Sequence, residues 1–178
     1  SNGTGAGGKE MSDGMKEFYS NCGFYKEGMF VRYIIKSLKK GGEGIVILPF
    51  GVLSRNKDKS RTDLLKNCHV KALISLPRRL FDNTDWKTYI VCFQRKMGDS
   101  EKYRKPVFIY NVENVGFTLD ANRIECETDL EDLVDRYNRY IKEGADSIDI
   151  TSKRCRTINQ EEFAKLTNWE EPFRAFDI

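Results

Sequence analysis

The fold is decided by the stretch GGEGIVILPFGVL at residues 41–53. Its apolar run at 44–50 is rich in β-branched side chains, follows a glycine pair and has a proline near its end, so we predict a buried strand there. Just before it, MFVRYIIKSLKK (29–40) repeats apolar side chains at helical spacing, with Phe30 and Ile34 one turn apart. We therefore predict an amphipathic helix that ends at the glycine pair and leads into the strand.

Three more strands are predicted further along the chain. They are VKALISLP, TYIVCFQRK and PVFIYNVE, at residues 70–77, 88–96 and 106–113. A polar, basic loop at 51–60 and a short helix at 61–67 precede the first of them. Strands separated by helices predict a parallel α/β sheet. A short polar segment joins the last two strands, which predicts that this pair is antiparallel.

Composition divides the chain into three parts. Residues 1–28 are rich in glycine and are expected to form a flexible lead, and residues 29–116 hold the predicted strands. Residues 117–178 form an acidic tail that we predict to be mainly helical.

Two segments of this tail have the apolar spacing of helices. The first covers residues 129–144, and Gly144 would end it. The second covers residues 158–169, and Asn159 is its expected N-cap.

Charge is distributed unevenly along the chain. Residues 1–110 carry 21 lysines and arginines against 11 acidic residues, whereas residues 111–178 carry 9 against 16. A basic surface favours an anionic partner, of which nucleic acid is the commonest. A solvated surface without such a partner explains the same numbers, so charge alone leaves both interpretations open.

Composition also argues against several kinds of protein and site. No run of about 18 apolar residues occurs, so we expect no membrane span. Nor does a charged and then apolar N-terminus mark a secretory signal. Five dispersed cysteines without a C-x-x-C pair, and the single histidine His69, argue against a zinc site. We therefore expect a cytoplasmic protein with reduced cysteines.

Two motif-bearing segments occur in order along the chain. The first is the helix that ends in Gly-Gly, the strand that follows it, and the turn Leu-Pro-x-Gly-Val-Leu at 48–53. The second is a strand that ends in Leu-Pro at 76–77 and continues into a loop with Phe81, Thr84 and Thr88. Together these segments resemble the adenine-specific DNA methyltransferases, and most closely the modification subunits of type I restriction-modification systems.

This resemblance, which covers about residues 29–113, implies a Rossmann-like methyltransferase sheet of which the chain holds the later strands. It implies that Phe81 stacks on an adenine flipped out of the duplex, a contact worth roughly 1–3 kcal/mol per base. It also implies that Phe30 packs against the adenine ring of S-adenosylmethionine. Two alternatives stay open: Phe81 plugging its loop onto the sheet, and Phe30 as an ordinary core residue.

The resemblance and the charges together suggest DNA contacts in two loops, which should leave the same edge of a parallel sheet. Contacts from these loops to phosphates would position DNA without reading its sequence. The candidate DNA-binding residues are Arg55, Lys57, Lys59, Arg78, Arg79, Thr84 and Lys87. A solvated surface, and for Thr84 a purely loop-structuring role, are the alternatives.

Two motifs that carry catalysis in the resembled family do not occur in this sequence. They are the Phe-x-Gly-x-Gly turn of the cofactor site, and Asn-Pro-Pro followed by Phe or Tyr, which binds the target amino group. We therefore predict that the chain is the second half of a catalytic domain and contains no catalytic residue. Alone it should neither bind S-adenosylmethionine nor transfer methyl groups, and an exposed sheet edge should promote self-association.

The sequence thus favours a fragment of an enzyme that moves a methyl group from S-adenosylmethionine to the exocyclic amino group of adenine in DNA. This half would supply the base-stacking loop and a DNA-facing rim. The resemblance implies the specificity and restriction subunits of the system as partners. The alternative is a non-catalytic module with the same fold that binds nucleic acid or assembles subunits. An RNA or protein methyltransferase fragment is a further possibility.

Overall fold

A computed structural model describes part of the chain. The described residues are 12–14, 26–54, 59–81, 84–98, 101, 105–149 and 152–176. Most of the predicted glycine-rich lead lies outside these ranges. The candidate DNA-binding residues Arg55 and Lys57 lie outside them as well.

The described residues form five helices, two 3-10 turns and seven strands, and five of the strands follow one another from Cys68 to Thr128 with no described helix between them. The helices are α1 (Lys26–Ser37), α2 (Phe50–Ser54), α3 (Ser60–Asn67), α4 (Leu130–Glu143) and α5 (Gln160–Lys165), with 3-10 turns at Ala145–Ser147 and Glu171–Phe176. The strands are β1 (Glu43–Pro49), β2 (Cys68–Leu76), β3 (Thr88–Arg95), β4 (Val107–Asn111), β5 (Val115–Phe117), β6 (Glu125–Thr128) and β7 (Cys155–Ile158). The four strands predicted from the sequence are present. Helix α2 occupies part of the segment predicted as a loop.

Five strands form one mixed sheet in the order β1-β3-β2-β4-β7. Strand β3 pairs antiparallel with both β1 and β2, whereas β4 pairs parallel with β2 and antiparallel with β7. The prediction of a parallel sheet is therefore wrong except for the β2–β4 pair, because no described helix separates β2 from β3 and the chain reverses direction there. The predicted antiparallel pair of β3 and β4 is therefore wrong. The two strands do run in opposite directions, but β2 lies between them. The connection at 96–106 is long enough to pass the start of β2, so a short polar linker did not require adjacent strands.

Strand β1 lies at an edge of the sheet and is buried on one face only. Gly44 and Leu48 are buried, but the outward side chains of Ile45 and Ile47 are exposed, Ile45 by 72%. The prediction of a fully buried strand is therefore wrong on one face. Among the described residues β3 is the only strand that pairs with β1, and neither apolar cluster of the sheet includes Ile45 or Ile47, which the apolar run alone cannot show.

Two apolar clusters cover the two faces of the sheet. The first lies under α1, α2, α3 and the C-terminal segment, and the second lies under α4 and the β5–β6 hairpin. Val31 and Ile35 lie on the buried face of α1 and pack in the first cluster. Phe30 is on the outer side of this helix and is 67% exposed. The alternative of Phe30 as an ordinary core residue is therefore wrong for this chain.

The acidic tail is packed into the fold. Helix α4 lies where the sequence predicts it, with Gly144 after it at a φ of 90°, whereas α5 covers only Gln160–Lys165 of the helix predicted at 158–169. The Asn159 side chain accepts a hydrogen bond of 2.7 Å from the Glu162 backbone N–H, as expected of an N-cap. Strand β7 was not anticipated, and it joins the main sheet beside β4. Trp169 is fully buried, with its ring centroid 4.7 Å from that of Phe163.

Two further expectations can be compared with the described residues. Within them, no helix is long and apolar enough to cross a membrane. Across the same parts of the chain, no group of three or more histidine, cysteine and acidic side chains is arranged to hold a metal ion.

Candidate functional site

The loop between β2 and β3 carries most of the candidate residues, and local hydrogen bonds shape it. Pro77 follows β2, and Arg79 adopts a left-handed backbone with a φ of 62°. The Thr84 backbone N–H donates to the Phe81 carbonyl over 3.1 Å, and the Trp86 backbone N–H donates to Thr84 Oγ1 over 3.1 Å. The Phe81 ring is 40% exposed. The loop therefore presents this ring outward and does not bury it in the sheet.

A tight turn between β5 and β6 faces this loop. Asp120 Oδ1 accepts hydrogen bonds from the Thr118 hydroxyl, at 3.0 Å, and from the backbone N–H groups of Asn122 and Arg123, at 2.9 and 3.3 Å. The bond from Asn122 contributes most to holding the pKa of the Asp120 carboxyl below its usual value. Because the carboxylate is committed to the turn, it acts mainly as a structural group.

The loop and the turn enclose an open cleft of about 450 Å³, which we call the Phe81 cleft. Its lining residues are Arg79, Phe81, Thr84, Asp85, Leu119, Asp120, Ala121 and Arg123. The structure thus brings together three of the residues predicted for the site, and it adds a second wall that the sequence reasoning missed. The Asp-Ala-Asn triplet at 120–122 is a turn signature that could have indicated this wall.

The charges that line the cleft are balanced. Arg79 Nε lies 3.3 Å from Asp85 Oδ1, and both side chains are exposed. The Arg123 guanidinium lies 4.9 Å from the centre of the Phe117 ring. Two arginines therefore share the cleft with two aspartates around an exposed aromatic ring. A planar, uncharged base suits such a site, because an aromatic face stacks on any base.

Lys87 lies away from this cleft, although it belongs to the same loop. Its ammonium nitrogen is 3.4 Å from Glu170 Oε1 and 5.6 Å from the centre of the Phe173 ring. The Tyr89 hydroxyl donates to the same Glu170 oxygen over 3.1 Å, and burial is the main cause that raises the pKa of Tyr89. This lysine therefore fastens the C-terminal segment to the sheet. The side chain of Arg78, by contrast, is exposed.

The remaining candidates among the described residues, Lys59 and Phe30, lie on the helical side of the molecule. Lys59 immediately precedes α3 and lines a second cleft, between α1 and α3. Phe30 is exposed on α1. The structure therefore does not gather all the predicted residues in one place, and the Phe81 cleft holds only part of them.

Comparison with known proteins connects this geometry to a family. The sequence profile described as N-6 DNA Methylase matches residues 21–171. The chain belongs to the N-6 DNA methylase family. The match includes the Phe81 loop, the β5–β6 turn and the tail through α5, so the predicted family is confirmed.

Solved structures share the fold of this family member. The type I restriction-modification methyltransferase subunit from Streptococcus thermophilus is 22% identical, with a TM-score of 0.61 over 86% of this chain and 32% of its own. A chain of a type I R-M system solved for its complex assembly and conformational transition is 20% identical, with a TM-score of 0.58 over 79% of this chain and 30% of its own. The M protein of the type I restriction enzyme EcoKI is 23% identical, with a TM-score of 0.51 over 65% and 25%.

These matches confirm the predicted α/β methyltransferase fold. The chain spans about a third of the length of the first of these structures and less of the other two. No curated protein sequence matches the chain significantly.

Methyltransferases generally use S-adenosylmethionine, and Phe30 is the residue of this chain that the sequence predicts beside it. The ring of Phe30 is exposed on α1 while Val31 and Ile35 bury the other side of the helix. The ring is therefore accessible, but it lines neither of the two clefts described above.

Proposed function

We propose that the chain is part of an enzyme that transfers a methyl group from S-adenosylmethionine to the exocyclic amino group of adenine in DNA. Its share of the work would be to supply the base-stacking loop and part of the DNA-facing rim. The observation that carries this proposal is the exposed Phe81 ring in an open cleft, on the loop after a Leu-Pro strand end, in a member of the N-6 DNA methylase family.

The loop that carries Phe81 would hold the flipped base and contact the DNA beside it. Phe81 would stack on the adenine, and Thr84, through its bond to the Trp86 N–H, would keep the loop in shape. Arg78 and Arg79 would contact nearby phosphates. S-adenosylmethionine supplies the methyl group when bound, and Phe30 would pack against its adenine ring.

The assembly around the chain follows from the same proposal. The solved structures that share the fold belong to type I systems, so specificity and restriction subunits are the proposed partners, and the cytoplasm is the proposed location. The edge of β1, which is unpaired among the described strands, and its exposed face with Ile45 and Ile47 would be covered by another polypeptide. In the isolated chain, a second copy would take that place.

The experiment is a Phe81→Ala substitution in the complete methyltransferase that contains this chain. DNA without adenine methylation is the substrate, and mass spectrometry measures N6-methyladenine. Loss of stacking worth roughly 1–3 kcal/mol predicts that kcat/KM falls by about 5- to 150-fold. Phe81→Trp should restore most of the activity, because an indole ring also stacks on a base.

Trp86→Ala is the matched control, because Trp86 is in the same loop and exposed but does not line the cleft. This variant should keep activity within about twofold, a change of some 0.4 kcal/mol. Equal losses in both variants would show that the loop is merely disturbed, and full activity of Phe81→Ala would refute base stacking. An enzyme that binds DNA but never methylates it would favour the non-catalytic module.

A further inference from the structure

A groove between α1 and α3 carries a strong positive charge. It encloses about 290 Å³ and lies on the helix-covered side of the sheet. Its lining residues are Arg32, Ile35, Lys36, Lys59, Asp63, Lys66 and Asn67. Four basic side chains thus surround one carboxylate within the part of the chain that the structure describes. We call this feature the α1–α3 groove.

The single carboxylate of the groove is already engaged. Asp63 Oδ2 accepts a hydrogen bond from Arg32 Nη1 over 2.9 Å, and both side chains are partly buried. This ion pair joins α3 to α1 and fixes the floor of the groove. The side chains of Lys36, Lys59 and Lys66 project from its rim and are exposed. The net charge of the lining is therefore positive by about three units.

Nearby basic side chains show what a purely structural role looks like in this region. Lys96 Nζ donates to the carbonyls of Leu65 and Lys66, at 2.8 and 3.1 Å, and so satisfies the end of α3. Arg95 Nη1 likewise donates to the carbonyls of Lys36 and Leu38 near the end of α1. These two cations cap helix ends. Lys36, Lys59 and Lys66 are therefore additional to the two cations that cap helix ends in this region.

The Phe81 cleft and the α1–α3 groove differ in the two properties that DNA binding needs, an aromatic face for a base and cations for phosphates. The cleft balances two arginines against two aspartates, so it attracts phosphate weakly. The groove has an excess of cations and no exposed aromatic ring among its lining residues. Affinity for nucleic acid comes mainly from cations that neutralise phosphates, whereas stacking needs an aromatic face.

We propose that the α1–α3 groove binds the phosphodiester backbone of duplex DNA, away from the base held by Phe81. Lys36, Lys59 and Lys66 each contact a phosphate, and the contact is independent of sequence. The choice of DNA as the polyanion rests on the proposed function. An acidic protein is the competing occupant, and the experiment below distinguishes the two.

The test measures how salt affects DNA binding by the full 178-residue chain. A labelled duplex of about 20 base pairs and random sequence is titrated by fluorescence anisotropy between about 50 and 200 mM salt, the range in which phosphate contacts dominate. The triple variant Lys36→Gln, Lys59→Gln, Lys66→Gln removes three cations. Since each phosphate contact contributes about 0.9 to the slope of log K against log salt, the slope should flatten by roughly 2 to 3. Affinity at the lowest salt should fall at least about tenfold.

A matched control changes the net charge by the same amount elsewhere. The variant Lys142→Gln, Lys153→Gln, Lys165→Gln replaces three exposed lysines of the tail. It should keep the slope of the wild type. Equal flattening in both variants would show a general charge effect and overturn the proposal, as would an unchanged slope in the groove variant or no duplex binding by the wild type.

Two further arms separate this inference from the proposed function and from the competing occupant. Phe81→Ala should leave the salt slope unchanged, because Phe81 contacts no phosphate in this proposal. The salt slope therefore tests the groove, and the methylation assay tests Phe81, so that either proposal can fail without the other. Poly-glutamate of matched charge should compete poorly with unlabelled DNA. If it displaces the duplex equally well from the wild type but not from the groove variant, the groove is a site for an acidic protein and the DNA assignment is wrong.

Discussion

Replacement of Trp169 by alanine tests whether the acidic tail belongs to the same folding unit as the sheet. The side chain is fully buried in the first apolar cluster, and its indole N–H has no hydrogen-bond partner within the described residues. The loss is therefore one of packing. Large aromatic-to-alanine changes in a core cost about 3–5 kcal/mol. With a urea m-value of about 2 kcal/mol per molar, the unfolding midpoint should fall by about 1.5–2.5 M.

The assay is urea unfolding of the chain, followed by circular dichroism. Trp86→Ala is the control, because that side chain is 64% exposed and its loss should change stability by no more than about 0.5 kcal/mol. The reasoning is refuted if Trp169→Ala costs less than about 1 kcal/mol, which is well below the range for a buried aromatic. A second, separate transition in the wild type would likewise show that the tail unfolds by itself.

Two further predictions concern the sheet. An ideal Cβ at Gly44 would lie 2.7 Å from the Phe93 ring, so Gly44→Ala should lower the free energy of unfolding in urea by about 1–3 kcal/mol. The control Gly98→Ala should be close to neutral, because among the described residues no atom beyond its chain neighbours lies within 4 Å of the added Cβ. Equal effects of the two substitutions would contradict the packing argument. Burial, and then Lys96, lower the pKa of the His69 imidazole below its ordinary value. The unfolded chain therefore binds the proton more readily, and stability should fall as the pH drops below about 6.5. His69→Gln should lose less stability than the wild type between pH 7.5 and 5.5, and an identical loss would contradict the assignment.

The sequence predicts the elements of this fold better than their arrangement. Apolar runs and glycine or proline boundaries are local features, and they place the four strands of residues 29–116 correctly. The order of the strands depends on contacts between distant segments, and the position of β3 between β1 and β2 has no local signal. Strand β6 is exposed along its whole length, so its sequence lacks the apolar alternation that marks a strand.

The candidate site shows the same limit. Arg79, Phe81 and Thr84 come together because they share a short loop, which the sequence can show. The other wall of the cleft lies about 40 residues away along the chain, at Leu119–Arg123. Lys87 binds Glu170, which is 83 residues away along the chain, and therefore does not line the cleft. Proximity within a loop can be predicted from sequence, whereas the partner that a long side chain selects depends on the folded surface.

The most direct test of the central claim locates the target base. The complete enzyme is irradiated with duplex DNA that carries 5-iodouracil in place of the target adenine, because a base flipped out of the stack crosslinks to the aromatic ring on which it lies. Trypsin then releases Leu80–Lys87 as one peptide, since cleavage follows Arg79 and Lys87. The account predicts that the crosslinked nucleotide is found on this peptide, at Phe81. A crosslink found only on other peptides would contradict it.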